Sequence, residues 1–164
     1  MMSDIKGLQR IGRETFAASF GAENSASDMQ KYLDENFNTE KVKSELENPD
    51  AEFYFAETDQ QIVGYLKINT GNAQTETLIE NALEIERIYV LAPYQGQGVG
   101  RLLFDKALEI AKSKAVENLW LGVWEKNLKA IRFYEKNGFV AFDQHIFKLG
   151  DDKQTDIMMK LALK

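Results

Sequence analysis

The amino-acid sequence predicts one α/β domain that occupies residues 1–164. Apolar residues recur at helical spacing in some segments and form short runs of β-branched and aromatic residues in others, so helices and strands alternate along the chain. A length of 164 residues with 44% hydrophobic residues suits a single domain with its own core. No repeat, linker or low-complexity tract divides the chain.

Three helices are predicted in the first third of the chain. Ser3 or Asp4 can cap the first helix, whose apolar residues are Ile5, Leu8, Ile11, Phe16 and Phe20. After a loop over residues 21–25, a second helix opens at residues 27–30 and carries Met29, Leu33 and Phe37 on one stripe. Thr39 is predicted to cap a short third helix that ends near Pro49. Core packing accounts for these apolar stripes.

The remaining chain is predicted to form strands separated by turns and two further helices. A hairpin of strands over 53–56 and 62–68, with a turn at 58–61, is followed by a polar connection over 70–81 and a strand at 85–90. Next come a helix whose apolar spacing begins at Leu102, a strand at 119–124, and a helix that Asn127 caps and Gly138 ends. Two closing strands are predicted over 139–149 and 156–163, around an acidic turn at 150–152.

The composition excludes several classes of function. Because the chain has no cysteine, it has no disulfide, zinc finger or thiol nucleophile. The 26 acidic and 20 basic residues give a formal charge of −6, which disfavours nucleic acid as a partner and suits a cationic one, although acidity also serves solubility. No apolar run is long enough to span a membrane and the start lacks a secretory signal, so we expect no membrane partner and a cytoplasmic location.

A glycine-rich turn joins the central strand to the long helix. Residues 95–100 read Gln-Gly-Gln-Gly-Val-Gly, and glycine lets the backbone take positive φ and approach a ligand closely. Main-chain N–H groups at the start of a helix bind anions, so the turn predicts a phosphate or pyrophosphate site. Arg101 stands where the dinucleotide fingerprint needs its last glycine, and the lysine and hydroxyl of a nucleotide P-loop are absent. A tight turn that binds nothing remains the alternative at this point.

Two motifs together resemble the GNAT superfamily of N-acetyltransferases. Residues 95–100 match Gln/Arg-x-x-Gly-x-Gly/Ala, which holds the pyrophosphate of acetyl-coenzyme A in that family, and residues 127–139 fill every fixed position of its closing motif, Asn-x-x-Ala-x-x-Phe-Tyr-x-x-x-Gly-Phe. The resemblance covers residues 51–164. It implies the GNAT acyl-CoA N-acyltransferase fold, a mixed and mostly antiparallel sheet with splayed central strands, flanked by helices. The family's first edge strand has too few residues before the first helix here, so that strand is absent or truncated.

The resemblance also implies where acetyl-coenzyme A, a co-substrate that needs no metal, would bind. In the family it lies between the splayed fourth and fifth strands. The implied contacts are the main chain of Ile88, Tyr89 and Val90 for the pantetheine, the N–H groups of Gln95, Gly96, Gln97, Gly98, Val99, Gly100 and Arg101 for the pyrophosphate, and Asn127 and Ala130 on the opposite wall. Lys129 would meet the outer phosphates or remain a solvated helix residue.

Direct attack of a bound amine on the thioester is the expected mechanism. With no cysteine and one histidine an acyl-enzyme is disfavoured, so the reaction needs a base for the ammonium and an acid for the departing thiolate. Tyr134, protonated at neutral pH and placed in the family motif, is the expected acid.

Glu86 is the first choice for the base and Glu84 the second, because a partly buried carboxylate has a raised pKa. Strict alternation puts both glutamates on the face that carries Ile88; for either, the alternative is an ion pair that only orders the strand. His145 is expected to be structural or to line the substrate site.

Shorter stretches resemble one subgroup, the bacterial polyamine (spermidine/spermine) N-acetyltransferases. These stretches are residues 14–16, 83–89, 120–125, 150–151 and 154–156. A polyamine would suit an acidic protein whose mouth we expect at Glu23, Asp28, Asp34 and Glu35. Two other functions stay open, namely acetylation of protein N-termini or lysines, which the helical segment over residues 9–46 disfavours, and binding of acetyl-coenzyme A by a regulatory module without turnover. A homodimer is also left open.

Overall fold

The computed structural model describes residues 2–20, 26–76, 79–149 and 152–163. The helices are α1 (Met2–Phe20), α2 (Ala26–Asn36), α3 (Thr39–Glu47), α4 (Val99–Ser113) and α5 (Leu128–Lys136). The strands are β1 (Ala51–Thr58), β2 (Gln61–Asn69), β3 (Ala82–Val90), β4 (Asn118–Trp124), β5 (Val140–Leu149) and β6 (Asp152–Ala162). Short 3-10 turns lie at Gly71–Ala73 and Ala92–Tyr94. The α/β alternation predicted from residue 51 onward is confirmed.

The six strands form one mixed sheet in the order β1-β2-β3-β4-β6-β5. Only the β3–β4 pair is parallel, and the other four pairs are antiparallel. The predicted β1–β2 hairpin turns at Asp59 and Gln60, which both have positive φ as a two-residue hairpin turn requires. Among the described residues no strand precedes α1, so β1 forms one edge of the sheet.

The parallel strands β3 and β4 separate halfway along their length. Their pairing runs from Ala82 opposite Asn118 to Ile85 opposite Leu121 and stops there, although both strands continue. The splayed central strands implied by the family resemblance are therefore present. They form a fork whose apex lies at Ile85 and Leu121 and whose open end is followed by the glycine-rich turn.

A β-bulge at Glu86 corrects the expected side-chain alternation of β3. Arg87 pairs with Lys67 and Ile85 pairs with Ile68, so Glu86 is an extra residue without an opposite partner. An extra residue reverses the alternation beyond it. As a result Ile88 packs with Ile85 in the core beneath α4, and the prediction that Ile88 shares a face with the two glutamates is wrong.

Each face of the sheet carries its own core. Under α4 and α5 the buried set includes Leu83, Leu103, Phe104, Leu121 and Met159. On the opposite face α1, α2 and α3 pack around a second set that includes Leu8, Ile11, Leu33, Val42 and Tyr65. The apolar stripes predicted for the first three helices thus serve packing, as expected. No helix among the described segments has the length and apolar composition that crossing a lipid bilayer needs.

Several element ends differ from the prediction. Helix α1 already includes Ser3 and Asp4, and Asn38 rather than Thr39 caps α3, because its side chain accepts a hydrogen bond from the Lys41 N–H at 2.8 Å. Helix α4 begins at Val99, and Leu102 is 69% exposed and does not join the core. Strand β6 begins at residue 152, not at 156. The predicted loop at 21–25 and residues 150–151 of the acidic turn lie outside the described residues.

Candidate active site

A cleft of about 1120 Å³ occupies the fork between β3 and β4. Its walls are the second half of β3, the glycine-rich turn, β4 and the start of α5. The predicted residues that line it are Ile88, Tyr89, Val90, Gln95, Gly96, Gly98, Gly100, Arg101, Asn127, Lys129, Ala130, Tyr134, Glu86 and Glu84. The fold thus brings together residues that lie up to 50 positions apart in the sequence, from Glu84 to Tyr134.

Two predicted cofactor residues direct their side chains elsewhere. The Gln97 side chain donates a hydrogen bond to the carbonyl of Pro93 at 3.1 Å, and Val99 packs against the core beneath α4. Both line a separate, smaller depression beside β1. The side chains of Gln97 and Val99 therefore do not line the cleft. The expected contacts of these two residues involve their main-chain N–H groups, so that expectation remains a prediction.

The glycine-rich turn has the geometry of an anion site. Gly96 and Gly98 have φ of 79° and 85°, and a Cβ on either would meet no protein atom within 4 Å. Gly98 caps α4, and its carbonyl accepts the first helical bond from Leu102 N–H at 3.1 Å. The N–H groups of residues 99–101 therefore have no acceptor inside the helix. Open space next to free N–H groups fits a pyrophosphate.

The rim of the anion site is held by side-chain contacts that cross to α5. The Arg101 guanidinium lies 3.1 Å from Asp105 and donates to Asn137 at 3.0 Å. On the opposite wall the Asn127 side chain accepts from Ala130 N–H at 3.2 Å, which confirms the predicted helix cap. Lys129 is exposed at the cleft and can reach an anion there.

Tyr134 lies at the floor of the cleft and is only 6% exposed. Its ring packs against Phe104, Phe133 and Phe139, with ring centroids 5.5 to 6.3 Å apart. Burial among these rings raises the pKa of the Tyr134 hydroxyl well above that of free tyrosine. The hydroxyl is therefore protonated at neutral pH and can act as a proton donor.

Glu86 belongs to a buried network of four charged residues. Its carboxylate lies 2.7 Å from Lys67 Nζ and 3.4 Å from the Arg87 guanidinium, and Glu45 pairs with the same two cations at 3.5 and 3.1 Å. Burial opposes ionisation of Glu86, but the positive charges of Arg87 and Lys67 and the hydrogen bonds to its carboxylate hold its pKa below the ordinary value. The expectation of a raised pKa is wrong for Glu86, because Lys67 and Arg87 both face its carboxylate, and no local pattern in the sequence reveals this.

Glu84 has the raised pKa that was expected of a base on this strand. It is 3% exposed, and burial raises its pKa against the opposing effect of hydrogen bonds from Thr75 and Asn69. Those bonds run from Thr75 N–H at 2.8 Å, Thr75 Oγ1 at 2.6 Å and Asn69 Nδ2 at 3.1 Å. Both oxygens of Glu84 are thus engaged with neighbouring protein groups.

The acidic mouth predicted on α2 is not part of the cleft. Glu23 lies outside the described residues, and Asp28, Asp34 and Glu35 are absent from the cleft lining. Asp34 instead pairs with Arg13 of α1 at 3.2 Å. The carboxylates that do line the cleft are Glu45, Glu76, Glu84, Glu86 and Asp156. Helical spacing placed the α2 acids on a solvent face but could not show which way that face points.

Sequence reasoning missed Asp156 and the buried cations as site residues. Asp156 lies on β6 opposite Trp124 of β4 and His145 of β5, and it lines the cleft. For Lys67 the available signal was a charged residue between the apolar Leu66 and Ile68, whereas Asp156 follows the polar Gln154 and Thr155 and gave no such signal. His145 pairs with Glu76 and lines the cleft as well, in agreement with a substrate-lining position.

Among the described residues, no group of three or more histidine, aspartate or glutamate side chains is placed to share a metal ion.

Comparisons with known proteins agree with this geometry. Residues 14–139 match the profile of the acetyltransferase (GNAT) family. An uncharacterized N-acetyltransferase from Lactobacillus delbrueckii subsp. lactis is 44% identical over 160 residues, which cover 98% of this chain and 92% of the relative. A spermidine N(1)-acetyltransferase from Thermoplasma acidophilum is 25% identical over 87% of this chain and 86% of its own. The crystal structure of PaiA N-acetyltransferase from Thermoplasma acidophilum with coenzyme A superposes with a TM-score of 0.76 at 24% identity, covering 98% of this chain and 93% of that one.

Proposed function

Because the chain belongs to the acetyltransferase (GNAT) family, we propose that it acetylates a primary amine of a small polyamine such as spermidine. Acetyl-coenzyme A-dependent N-acetyl transfer is the activity of this family, and a solved relative with the same fold holds coenzyme A. The acceptor is the new element of the proposal. The observation that carries it is the acidic and aromatic surface of the cleft on the side away from α4.

The cleft surface near the apex suits a cationic acceptor. Its five carboxylates outnumber the cations on the same side, which are Lys41, Lys67 and Arg87, and the aromatic side chains of Tyr32, Trp120, Trp124 and Phe147 line the same cleft. Carboxylates attract ammonium groups, and aromatic faces bind them through cation–π contacts. The similarity to a spermidine acetyltransferase over 87% of the chain supports the same class of acceptor.

The three N-terminal helices favour a small acceptor over an extended peptide. Helices α1, α2 and α3 pack on the cleft face of the sheet through the core that includes Tyr65. Phe16 of α1, Tyr32 of α2 and Phe37, which follows α2, line the cleft. Phe16 and Tyr32 stack with ring centroids 4.3 Å apart, which braces this cover. A covered cleft admits a thin, flexible polyamine more readily than a protein chain.

Tyr134 is proposed as the general acid. It lines the cleft, is held protonated by burial, and would give its proton to the sulfur as the carbon–sulfur bond breaks. The two glutamates of β3 do not offer a free carboxylate oxygen to an ammonium, because Glu86 is paired with Lys67 and Arg87 and both oxygens of Glu84 accept hydrogen bonds. We propose that they order the bulge and the connection before β3.

Thiol release from acetyl-coenzyme A tests the proposed function. Spermidine, spermine, diamines, aminoglycosides and peptides with free N-termini are compared at equal concentration. Release with the polyamines above all others is the expected result. Release with peptides alone would make the chain a protein N-acetyltransferase, and coenzyme binding without release on any amine would indicate a regulatory module.

A further inference from the structure

Asp156 lies on β6 beside the fork, level with Trp124, the last residue of β4. It pairs across the sheet with Trp124 and His145, and its carboxylate lies above Gly122, where a Cβ would come within 3.6 Å of Oδ2. Gly122 directly follows Leu121, the last residue of β4 that pairs with β3. The carboxylate therefore stands where the two central strands part and the cleft begins.

The other carboxylates of the cleft are already engaged. Glu45 and Glu86 pair with Lys67 and Arg87. Glu84 accepts hydrogen bonds from Thr75 and Asn69, and Glu76 pairs with His145. No described residue donates a hydrogen bond to Asp156, and the positive charge that lowers the pKa of its carboxyl is that of His145. Asp156 is thus the carboxylate in the described cleft lining that is available to an incoming cation.

Aromatic side chains surround the position above Asp156. Tyr32 of α2, Trp124 of β4 and Phe147 of β5 line the same part of the cleft and share one partly buried cluster. The titratable groups that interact with Asp156 are His145 on β5, Tyr32 on α2 and Tyr89 on β3, and Glu76, from the connection before β3, pairs with His145. A carboxylate beside aromatic faces is a suitable site for an ammonium group.

We propose that Asp156 binds the reactive ammonium of the acceptor and takes a proton from its nitrogen before attack, an inference that rests on the proposed amine acetylation. The neutral nitrogen then bonds to the thioester carbonyl carbon and the carbon–sulfur bond breaks. The nitrogen loses a second proton as the amide forms. Tyr134 gives a proton to the sulfur. The nitrogen has lost two protons in total, and overall one proton is gained by the thiol and one is released to solvent.

The acidity of Asp156 fits this role. Burial raises the pKa of its carboxyl from 3.8 to about 6, against the opposing charge of His145. A general base works best when its pKa is near the working pH, and Glu86, whose pKa is lowered, is further from that condition.

The test compares Asp156→Asn with a matched control, Asp143→Asn, which removes an exposed carboxylate of β5 that does not line the cleft. Two acceptors are compared. Ethylamine is an ammonium ion at neutral pH, whereas trifluoroethylamine is largely uncharged at that pH. We expect D156N to lower kcat/KM for ethylamine by roughly 10²–10⁴-fold but for trifluoroethylamine by less than about tenfold, since an uncharged amine need not lose a proton before it attacks. D143N should match the unchanged protein, and coenzyme A should bind D156N with an unchanged Kd.

The outcomes separate the two proposals. If D156N still binds coenzyme A but loses kcat/KM equally for both acceptors, the proposed role of Asp156 would be overturned. An unchanged kcat/KM for ethylamine in D156N would overturn it as well. Turnover of no amine by the unchanged protein would overturn the proposed function and this inference with it.

The pH dependence of the unchanged protein provides a second test that needs no folded D156N. We expect kcat/KM to fall as pH drops through about 6, where the carboxyl of Asp156 takes up a proton. His145→Gln removes the charge that lowers the pKa of Asp156, so this acid limb should move to higher pH. A limb that disappears in H145Q would assign it to the histidine and overturn the inference.

Discussion

The carboxylate of Asp156 lies against Gly122, and a Cβ on that glycine would stand 3.6 Å from Oδ2. That distance is an ordinary van der Waals contact, so Gly122→Ala should fold. The added methyl would exclude water from the carboxylate and raise the pKa of Asp156 further. A higher pKa keeps Asp156 protonated to higher pH, so the acid limb of kcat/KM should shift upward and activity at neutral pH should fall.

Measurement of kcat/KM against pH for G122A and the unchanged protein checks this shift, and thermal unfolding verifies that both are folded. An acid limb at the same pH in both proteins would contradict the relationship between the two residues.

Asp156→Asn should make the protein more stable at neutral pH. The folded state raises the pKa of Asp156 from 3.8 to about 6, so above pH 6 folding must keep an ion in a place that disfavours it. Removing that cost should stabilise D156N by about 1–2 kcal/mol, since each pKa unit corresponds to 1.36 kcal/mol and partial exposure screens the effect. The gain should fade as pH falls from 6 through 3.8, because below that range the carboxyl is protonated in both states.

Urea unfolding of D156N and the unchanged protein at several pH values measures this gain. Asp143→Asn serves as the control, because that side chain is exposed and should show no comparable gain. A destabilised D156N at neutral pH would mean that the carboxylate has a stabilising partner.

Tyr134→Phe should remove the proposed proton donor and leave the proposed coenzyme site intact. The ring contacts with Phe104, Phe133 and Phe139 do not involve the hydroxyl, so the fold should persist. We expect kcat to fall by roughly 10²–10⁴-fold, the range that general acids supply, with little change in the Kd of coenzyme A.

Steady-state kinetics and titration with coenzyme A test this expectation. Tyr54→Phe removes a hydroxyl that lies outside the cleft and should leave kcat unchanged. A kcat in Y134F equal to that of the Y54F control would exclude Tyr134 as the acid.

Side chains at Gly98 should block the anion site. Its φ of 85° is left-handed, so alanine should cost about 1–2 kcal/mol of stability, whereas asparagine tolerates this conformation. Both place atoms in the space that no protein atom fills. We therefore expect Gly98→Asn to keep most of its stability but to weaken coenzyme A binding by at least about tenfold, the loss of roughly one good contact.

Isothermal titration with coenzyme A measures the effect. Gly71→Asn is the control, because Gly71 also has positive φ but lies outside the cleft. If G98N binds coenzyme A as tightly as the unchanged protein, the pyrophosphate does not bind at this turn.

Local sequence signals predicted most of the fold and many of the residues that line the glycine-rich end of the cleft. The cap at Asn127, the glycine at 138 with φ of 94° and the positive φ of Gly98 follow from chemistry within a few residues. Two short motifs at a family-typical separation then placed Tyr134 and the anion turn on opposite walls of the same cleft.

The acceptor side could not be predicted in the same way. The bulge at Glu86 depends on how Lys67 and Arg87 meet across two strands, and no local pattern reveals it. Because that bulge reverses the side-chain alternation of β3, the predicted face of Ile88 was wrong. The lowered pKa of Glu86 could not be predicted either. Asp156 acquires its surroundings from contacts between β6, β5 and β4, which only the folded chain defines.

The most direct test of the account compares kcat/KM for spermidine with that for butylamine, an acceptor with one charge. An acidic, aromatic cleft should favour the polycation by at least about tenfold, and the preference should shrink as salt screens the cleft charges. Equal values for the two amines, or a preference for butylamine, would contradict polyamine recognition by this cleft.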